Sequence, residues 1–359
     1  MYNLIQLGWN EFFQNQFQTF KVQNFTPGRI AVENKQRYIL YTEMGELPAE
    51  VTGKLLYSSE VAELPKTGDW VAAVFFEEEK KAIIHSVLGR KNKLSRKVAD
   101  RKTEEQLIAA NVDYVFIVQS LDNNFNIRRL ERYIVSAFES KIQPVIILNK
   151  IDLTDEFILR KKEIMERFSN VESILTNALT GIGIDEIKNI LSEGKTGVFA
   201  GSSGVGKSTI INYLLGEKIL QTNEVSSSVN KGKHTTTRRE LFIIPNGGVV
   251  IDTPGIREFQ LWNVDKGMDQ VFDEMELISL ECKFSNCTHT KETGCAVLEA
   301  LEKGIINEAK LQSYYKLQKE LRYLEEKQDK NAFLKRKQRE KKLHKEIKQF
   351  FKTGRDKRM

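Results

Sequence analysis

Long apolar runs and a disulfide framework are both missing from this sequence of 359 residues. No apolar stretch approaches the roughly 20 residues that a membrane-spanning helix needs. The first twenty residues also lack the basic start, apolar core and small-residue cleavage site of a signal peptide. We therefore expect a cytoplasmic protein that makes no contact with a membrane.

Cysteine is scarce, and the three that occur are clustered between Cys282 and Cys295. An odd number argues against paired disulfides, and the clustering favours a metal site. The pattern Cys282-x4-Cys287-x-His289-x5-Cys295 offers three thiolates and one imidazole, the ligand set of a closed structural zinc site. Soft sulfur ligands also select Zn²⁺ over Mg²⁺ or Ca²⁺. We predict one structural Zn²⁺ with no open position for catalysis; unliganded buried cysteines are the alternative.

Positive charge is unevenly distributed along the chain, whose formal net charge is +6. Residues 316–359 contain 17 Lys and Arg against 7 Asp and Glu, a charge of +10, so the rest of the chain carries −4. This asymmetry favours a polyanionic partner, nucleic acid more than a membrane. A solvated basic helix that only keeps the chain soluble is the alternative.

The first of five predicted segments, residues 1–90, is mostly β. An amphipathic helix is predicted over Leu4–Phe20, and Gly and Pro then punctuate a series of short strands. The predicted strands are Lys21–Phe25, Arg29–Val32, Tyr38–Thr42, Trp70–Phe76 and Ala82–Leu88. Strands of this length and spacing favour a small β-barrel, and the five-stranded oligonucleotide-binding (OB) barrel is one candidate.

The other four segments follow from changes of pattern. Residues 91–111 are a basic linker, either a connection with the start of a helix or a nucleic-acid contact. Residues 112–262 alternate short apolar strands with helices, which predicts an α/β domain with a doubly wound, mostly parallel sheet. Residues 263–323 are predicted to form a helical zinc-binding domain, and residues 324–359 a basic C-terminal tail.

A phosphate-binding loop is predicted between a strand and a helix of the α/β segment. The stretch Gly201-Ser202-Ser203-Gly204-Val205-Gly206-Lys207-Ser208-Thr209 begins with G-x-x-x-x-G-K-S. Its glycines let backbone N–H groups approach phosphates, and the helix N-terminus adds partial positive charge. Lys207 would reach the β- and γ-phosphates, and Ser208 would bind Mg²⁺. The loop by itself does not distinguish adenine from guanine.

A guanine-binding motif is predicted at the end of an earlier strand. Asn149-Lys150-Ile151-Asp152 fits N-K-x-D and follows the apolar strand 144–148. The Asp152 carboxylate would accept the ring N1–H and the amine of guanine, whereas adenine offers neither group and would leave it unpaired. Asn177-Ala178, after the next strand, occupies the place of a third guanine-supporting loop, although Asn replaces the usual Ser.

Two further segments match the nucleotide-sensing switches of GTPases. Asp252-Thr253-Pro254-Gly255 fits D-x-x-G, in which Asp252 would hold Mg²⁺ through water and the Gly255 N–H would sense the γ-phosphate. The Thr-rich segment 232–237 precedes it, and Thr236 or Thr237 would bind Mg²⁺ only in the GTP state.

The residue after D-x-x-G is Ile256, where Ras-like enzymes have a Gln that orients the attacking water. Isoleucine cannot hydrogen-bond water, so we expect slow intrinsic hydrolysis and another group that orients the water. His234 is the internal candidate, in a state induced by a partner; a solvent-exposed loop histidine is the alternative.

The motifs occur in an unusual order, because N-K-x-D precedes both the phosphate loop and D-x-x-G. The same site can still assemble, since ligand-binding residues lie on loops at the carboxyl ends of the strands whatever their sequence order. The sequence therefore predicts a circularly permuted GTPase domain.

Taken together, these motifs resemble the small-ribosomal-subunit-dependent GTPase A family, RsgA. The permuted motifs and the cysteine pattern carry the resemblance, and Thr67–Trp70, Glu105–Asp113 and Glu131–Tyr133 add to it over residues 27–323. It implies an OB barrel, a permuted GTPase domain and a zinc domain. It also implies GTP or GDP bound with Mg²⁺ at Asn149–Asp152 and Gly201–Thr209. The implied role is late maturation of the small ribosomal subunit, with ribosome-stimulated hydrolysis and ribosomal RNA as a partner, and we expect a monomer.

Three alternatives remain open at this point. Another permuted GTPase could act in large-subunit assembly, although the Cys/His cluster and the β-rich start speak against it. A nucleotide-binding RNA scaffold without hydrolysis is a second alternative, which Ile256 supports. A nucleotide-gated DNA-binding factor is a third, because charge does not distinguish RNA from DNA.

Overall fold

The computed structural model describes residues 2–21, 24–34, 37–58, 63–97, 105–220, 239–253, 267–284 and 287–328. These residues form two compact units, one up to residue 271 and the other from residue 272 onward. Among the helices in these ranges, none combines the length and the apolar character needed to cross a membrane. The five predicted segment boundaries stay predictions.

A short helix, α1 (Glu11–Lys21), precedes the barrel. The predicted start at Leu4 is wrong, because the chain turns at Gly8, whose φ is +90°. Phe13 is buried and packs with Trp9 against Trp70, which accounts for the apolar face of the predicted amphipathic helix. The predicted strand Lys21–Phe25 is also wrong, since Lys21 ends this helix and Asn24 adopts a left-handed φ of 55°.

Five strands form the predicted barrel. They are β1 (Thr26–Asn34), β2 (Arg37–Thr42), β3 (Gly45–Val51), β4 (Trp70–Phe76) and β5 (Lys81–Val87), with α2 (Gly53–Ser58) after β3. Their order is β1-β2-β3-β5-β4, and pairing of β4 with β1 closes the ring. The N-terminal barrel is therefore confirmed. Strand β3 was missed because Gly45 and Pro48 were taken for turn residues, although Leu47 and Ala49 point into the core.

Two strands lie within the predicted basic linker. They are β6 (Lys93–Lys97) and β7 (Glu105–Ala110), which pair antiparallel. Leu94 and the apolar run 107–110 are buried, so this connection is anchored by packing. In the described parts of this segment, residues 91–97 and 105–111, the predicted helix start is wrong, because the apolar residues belong to a strand pair.

The α/β region alternates strands and helices as predicted. Its elements are β8 (Tyr114–Ser120), α3 (Ile127–Glu139), β9 (Gln143–Asn149), α4 (Phe157–Arg167), β10 (Glu172–Thr176), α5 (Ile184–Ile190), β11 (Thr196–Ala200), α6 (Lys207–Leu215), β12 (Arg239–Ile243) and β13 (Val249–Asp252). The strand order is β10-β9-β8-β11-β13-β12, parallel throughout except for β12. The mostly parallel sheet is confirmed. Because β9, β8 and β11 are neighbours, their carboxyl ends meet at one edge of the sheet.

The barrel and the parallel sheet share hydrogen bonds. Strand β1 pairs antiparallel with β12, and β12 pairs antiparallel with β13. In register, Val32 lies opposite Glu240, and Glu240 lies opposite Asp252. The barrel is therefore joined directly to the strand that lies beside the D-x-x-G aspartate.

The remaining helices complete both units. Helix α7 (Gly267–Val271) packs beside α3 at the end of the first unit. The second unit contains α8 (Asp273–Ser279), α9 (Ala296–Glu302) and α10 (Glu308–Gln328). Phe272, Met275 and Tyr314 are buried in its core. The three cysteines lie between α8 and α9, and most of the predicted basic tail lies outside the described residues.

Candidate functional site

The phosphate loop connects β11 to α6 through glycines that no other residue can replace without strain. Gly201 has a φ of +142°, and a Cβ there would overlap the Val118 carbonyl oxygen. Gly206 has a φ of +103°, and a Cβ there would overlap Asn149 Nδ2. Helix α6 begins at the next residue, so its free N–H groups face the interior of the loop.

Lys207 closes the loop on itself. Its Nζ donates to the Gly201 carbonyl at 2.8 Å and to the Ser202 carbonyl at 2.7 Å. Ser203 and Gly204, at the tip, are exposed. Val205 is buried beneath the loop, and Ser208 and Thr209 are half-buried in the first turn of α6. Lys207 thus places its charge where the loop would enclose the terminal phosphates.

Asn149 joins three parts of the site. It is only 1 % exposed, and its Nδ2 donates to the Val205 carbonyl at 2.8 Å. Its Oδ1 accepts from Thr176 Oγ1 at 3.0 Å and from the Ala178 N–H at 3.1 Å. The predicted guanine-binding stretch therefore contacts both the phosphate loop and the predicted third guanine loop directly.

The next residues of N-K-x-D turn away from the sheet. Lys150 has a left-handed φ of 62° and donates to Asp122 Oδ2 at 3.3 Å. Ile151 is half-buried and Asp152 is exposed, in a single turn of 3₁₀ helix. The Asp152 side chain is therefore accessible to solvent on this turn.

Asn177 makes hydrogen bonds within the predicted third guanine loop. Its Oδ1 accepts from the Leu179 N–H at 3.0 Å, and its own N–H donates to the Ile182 carbonyl at 3.1 Å. This turn presents the Ala178 N–H to Asn149. The departure from Ser noted in the sequence therefore leaves a well-formed loop.

Asp252 ends β13 on the phosphate side of the sheet. Burial raises the pKa of its carboxyl, and the charge of Lys207 opposes that rise. Thr253 follows and is buried. Of the predicted catalytic residues, His234, Thr236, Thr237 and Gly255 lie outside the described residues, so only Asp252 is placed.

Sequence reasoning missed two residues that the structure brings to this edge. Asp122 accepts from Lys150 Nζ, and Arg129 Nη1 donates to Ser202 Oγ at 2.6 Å. Thr176, which the sequence places at the start of the third guanine loop, donates to Asn149. Asp122 follows the carboxyl end of a strand, which is a signal that could have indicated it. Arg129 lies on a helix, and nothing in the sequence pattern distinguishes it from the neighbouring Arg128.

The cysteine cluster has the geometry of a metal site. The four donor atoms of Cys282, Cys287, His289 and Cys295 lie within 4.8 Å of one another. Cys282 Sγ is 3.9 Å from Cys295 Sγ, and His289 Nδ1 is 3.5 and 3.4 Å from these two sulfurs. A tetrahedral zinc site has edges of about 3.8 Å between sulfurs and about 3.6 Å between sulfur and nitrogen. The Tyr315 hydroxyl donates to the His289 carbonyl and helps to fix the histidine. This cluster could hold a metal ion.

Comparison with known proteins connects this site to one family. The model of the RsgA GTPase family matches residues 87–262. A protein of Opitutus terrae, named small ribosomal subunit biogenesis GTPase RsgA, is 42 % identical over 330 residues, which cover 89 % of this chain and 90 % of that protein. The chain belongs to the RsgA family. A namesake from Methanosarcina acetivorans is 39 % identical over 340 residues, 95 % of this chain and 90 % of that one.

Solved structures are similar in fold to this chain. YjeQ from Thermotoga maritima superposes with a TM-score of 0.62 at 29 % identity, over 83 % of this chain and 98 % of that one. YloQ, described as a circularly permuted GTPase, has a TM-score of 0.61 at 23 % identity, over 84 % and 96 % of the two chains, and shares the fold. A second family model, described as a 50S ribosome-binding GTPase, matches residues 196–352. The predicted permuted GTPase fold is confirmed, and this RsgA family member is a GTP hydrolase.

Proposed function

We propose that this GTPase acts in late maturation of the small ribosomal subunit, and that its nucleotide state controls association with the subunit and release from it. The contact that carries the proposal is Asn149 Nδ2 on the Val205 carbonyl, because it unites the guanine-binding stretch with the phosphate loop. The small subunit as partner is supported by the names of relatives that match most of this chain. Because ribosomal subunits are cytoplasmic particles, we assign the protein to the cytoplasm.

Different residues of the site would bind the guanine base, the phosphates and Mg²⁺. Asp152 reads the guanine edge, while the loop N–H groups and Lys207 hold the phosphates. Ser208 would supply a hydroxyl oxygen to Mg²⁺, and Asp252 a carboxylate through water. Hard oxygen donors of this kind suit Mg²⁺.

Zn²⁺ is the metal we propose for the cysteine cluster, because three sulfurs and one imidazole nitrogen lie within 4.8 Å of one another. The distances among Cys282, His289 and Cys295 also match the edges of a tetrahedral zinc site. Its role would be structural, since four protein ligands leave no open position. Metal analysis of the purified protein should give one zinc per chain. Cys287→Ser should lower that content and the unfolding temperature, while nucleotide affinity stays unchanged.

RNA binding is the proposed role of the barrel and the basic C-terminal tail. The tail carries the excess positive charge of the sequence, which would release counterions from RNA and make binding salt-dependent. A monomer is the state we propose for the free protein. Sedimentation of the free chain tests that proposal.

Hydrolysis and sedimentation with purified subunits test the function. We expect multiple-turnover GTP hydrolysis to rise with small subunits and to stay at its basal rate with large ones. Co-sedimentation with small subunits should be stronger with a non-hydrolysable GTP analogue than with GDP. Stimulation by large subunits would instead support the large-subunit alternative, which the description of one matching family model favours. No stimulation by either would support the scaffold.

The group that orients the attacking water is part of the same proposal. Ile256 cannot do so, and His234 is our candidate in the subunit-bound state. His234→Ala should abolish the stimulation and leave GDP affinity unchanged. Full stimulation of that variant would remove His234 from the mechanism.

A further inference from the structure

Arg129 reaches the phosphate loop from an element that carries no nucleotide-binding motif. It lies in the first turn of α3, where the Asn126 side chain caps the helix by accepting the Arg129 N–H at 3.0 Å. The guanidinium Nη1 donates to Ser202 Oγ at 2.6 Å and approaches the Asn124 carbonyl at 3.4 Å. The cap fixes the backbone of Arg129, so the guanidinium is aimed at the loop from a rigid base.

Ser202 accepts hydrogen bonds from two positively charged side chains, each on a different oxygen. Its hydroxyl accepts from Arg129, and its carbonyl accepts from Lys207 Nζ at 2.7 Å. The first half of the loop is therefore held by positive groups, next to the place where terminal phosphates would lie. Ser203, the next residue, is exposed to solvent.

The two halves of the loop are anchored by different side chains. Asn149 anchors the second half at the Val205 carbonyl, and it belongs to the predicted guanine end of the site. Arg129 anchors the first half at Ser202, and within the described part of the chain it makes no direct hydrogen bond or ion pair to N-K-x-D. Loss of Arg129 should therefore disturb the phosphate end and spare recognition of the base.

We propose that Arg129 is a positioning residue for GTP hydrolysis, which acts through the Ser202 hydroxyl to hold the first half of the phosphate loop. A fixed loop is what keeps the N–H donors aimed at charge that develops in the transition state. A small misplacement of such groups lowers the rate more than it lowers affinity. The proposal rests on GTP hydrolysis alone and not on the ribosomal partner.

A double-mutant cycle on the full chain tests this role. The variants are Arg129→Gln, Ser202→Ala and the double variant, with Arg128→Gln as matched control, because Arg128 is exposed on the same helical turn. Three quantities are measured: the single-turnover GTP hydrolysis rate with excess protein, GDP affinity, and the unfolding temperature without nucleotide. If the wild type hydrolyses no GTP either alone or with small ribosomal subunits, the proposed GTPase function itself fails, which separates that failure from the failure of this proposal.

We expect Arg129→Gln and Ser202→Ala each to slow single-turnover hydrolysis about tenfold, and the double variant to be no slower than the slower single one. GDP affinity should stay within about twofold, and Arg128→Gln should match the wild type. The proposal would be overturned if the fold loss of rate in the double variant equalled the product of the two single losses. A wild-type hydrolysis rate for Ser202→Ala would also overturn it. The hydrolysis rate of Ser202→Ala tests the proposal even if Arg129→Gln fails to fold. Equal losses of rate and GDP affinity in Arg129→Gln would also overturn it.

Discussion

Arg29 is a buried charge that joins four parts of the first unit. Its guanidinium is 1 % exposed, and it donates to Thr196 Oγ1 at 2.8 Å. It also donates to the backbone carbonyls of Leu7, Gly68 and Asn111. Burial lowers the pKa of Arg29 to about 10, an effect that nearby Asp113 and Asp69 oppose, so the group stays charged at neutral pH. Its hydrogen bonds offset the cost of burying that charge.

Replacing Arg29 should destabilise the fold strongly. In Arg29→Met, the Leu7 and Asn111 carbonyls and the Thr196 hydroxyl lose the Arg29 donor inside the protein, at a cost of about 3 kcal/mol or more. The Gly68 carbonyl keeps a second donor, the Asn111 side-chain amide. We expect a clear fall in the free energy of unfolding, measured by urea denaturation. Arg37→Met is the control, because Arg37 is exposed on the same barrel. Equal losses in both variants would contradict the assigned role.

Asp122 positions the lysine of N-K-x-D. Burial raises the pKa of its carboxyl, but the Ser120 hydroxyl, the Asn124 N–H and Lys150 outweigh that effect, so the net pKa is lowered. The stabilisation is present above the ordinary pKa and is lost only as pH falls through the lower folded-state value. The contact with Lys150 should therefore persist throughout the neutral and mildly acidic range.

Asp122→Asn should weaken GDP and GTP binding equally, by about three- to tenfold, because Lys150 serves the guanine end that both nucleotides share. Calorimetric titration of both nucleotides measures the effect. Asp185→Asn, at an exposed position, is the control. A loss confined to GTP would place Asp122 at the phosphate end instead.

At the scale of elements, the parallel sheet was predicted well and the N-terminal region less well. Apolar strands such as β8 and β9 are buried on both faces, so their sequence reads as continuous apolar runs. In strand β3, buried and exposed residues alternate, but the strand begins with a glycine and contains a proline, which are typical of turns. Its pairing partners are set by closure of the barrel, which the local sequence does not encode. Helix α1 was predicted too long because Gly8 interrupts an otherwise amphipathic pattern.

The contact between N-K-x-D and the phosphate loop could also be predicted, because both segments follow parallel strands whose carboxyl ends lie at the same edge of the sheet. The contact between Arg129 and Ser202 could not, because it depends on how α3 is placed over the sheet. The contact between Asn149 and the phosphate loop depends on Gly206. A Cβ at position 206 would lie 2.2 Å from Asn149 Nδ2, which is too close for both atoms to fit.

Gly206→Ala should therefore abolish tight nucleotide binding, with a loss of about 100-fold or more in GDP affinity. Gly216→Ala is the control, because Gly216 also has a positive φ, of +72°, but open space around its Cβ. Both variants should lose about 1 kcal/mol or more of folding stability from backbone strain, and only Gly206→Ala should lose GDP binding. Equal GDP affinity in the two variants would contradict the contact with Asn149.

At the scale of the whole molecule, the barrel and the parallel sheet belong to one compact unit. Strand β1 pairs with β12, and Arg29 of the barrel bonds Thr196 at the start of β11. Such continuity predicts one cooperative unfolding transition for both parts. Nucleotide bound at the sheet should then stabilise the barrel as well.

GDP should raise the temperature at which the barrel unfolds. In a Trp262→Phe background, the remaining tryptophans, Trp9 and Trp70, pack on each other at the barrel and report its unfolding by fluorescence. GDP at about 100 times its Kd stabilises a bound unit by about 2.7 kcal/mol. We expect GDP to move the fluorescence transition and the loss of the helical circular dichroism signal to higher temperature by the same amount. A fluorescence transition that GDP leaves unmoved would show that the barrel unfolds on its own.

The central claim is that one guanine nucleotide contacts both Asp152 and the phosphate loop. Calorimetric titration of wild type and Asp152→Asn with GDP, ADP and xanthosine diphosphate tests it most directly. Xanthine has a carbonyl where guanine has its amine, so an asparagine amide can donate to it where a carboxylate cannot. We predict that the wild type prefers GDP over the other two, and that Asp152→Asn prefers xanthosine diphosphate. Tight ADP binding by the wild type, or an unchanged GDP preference in the variant, would contradict the account.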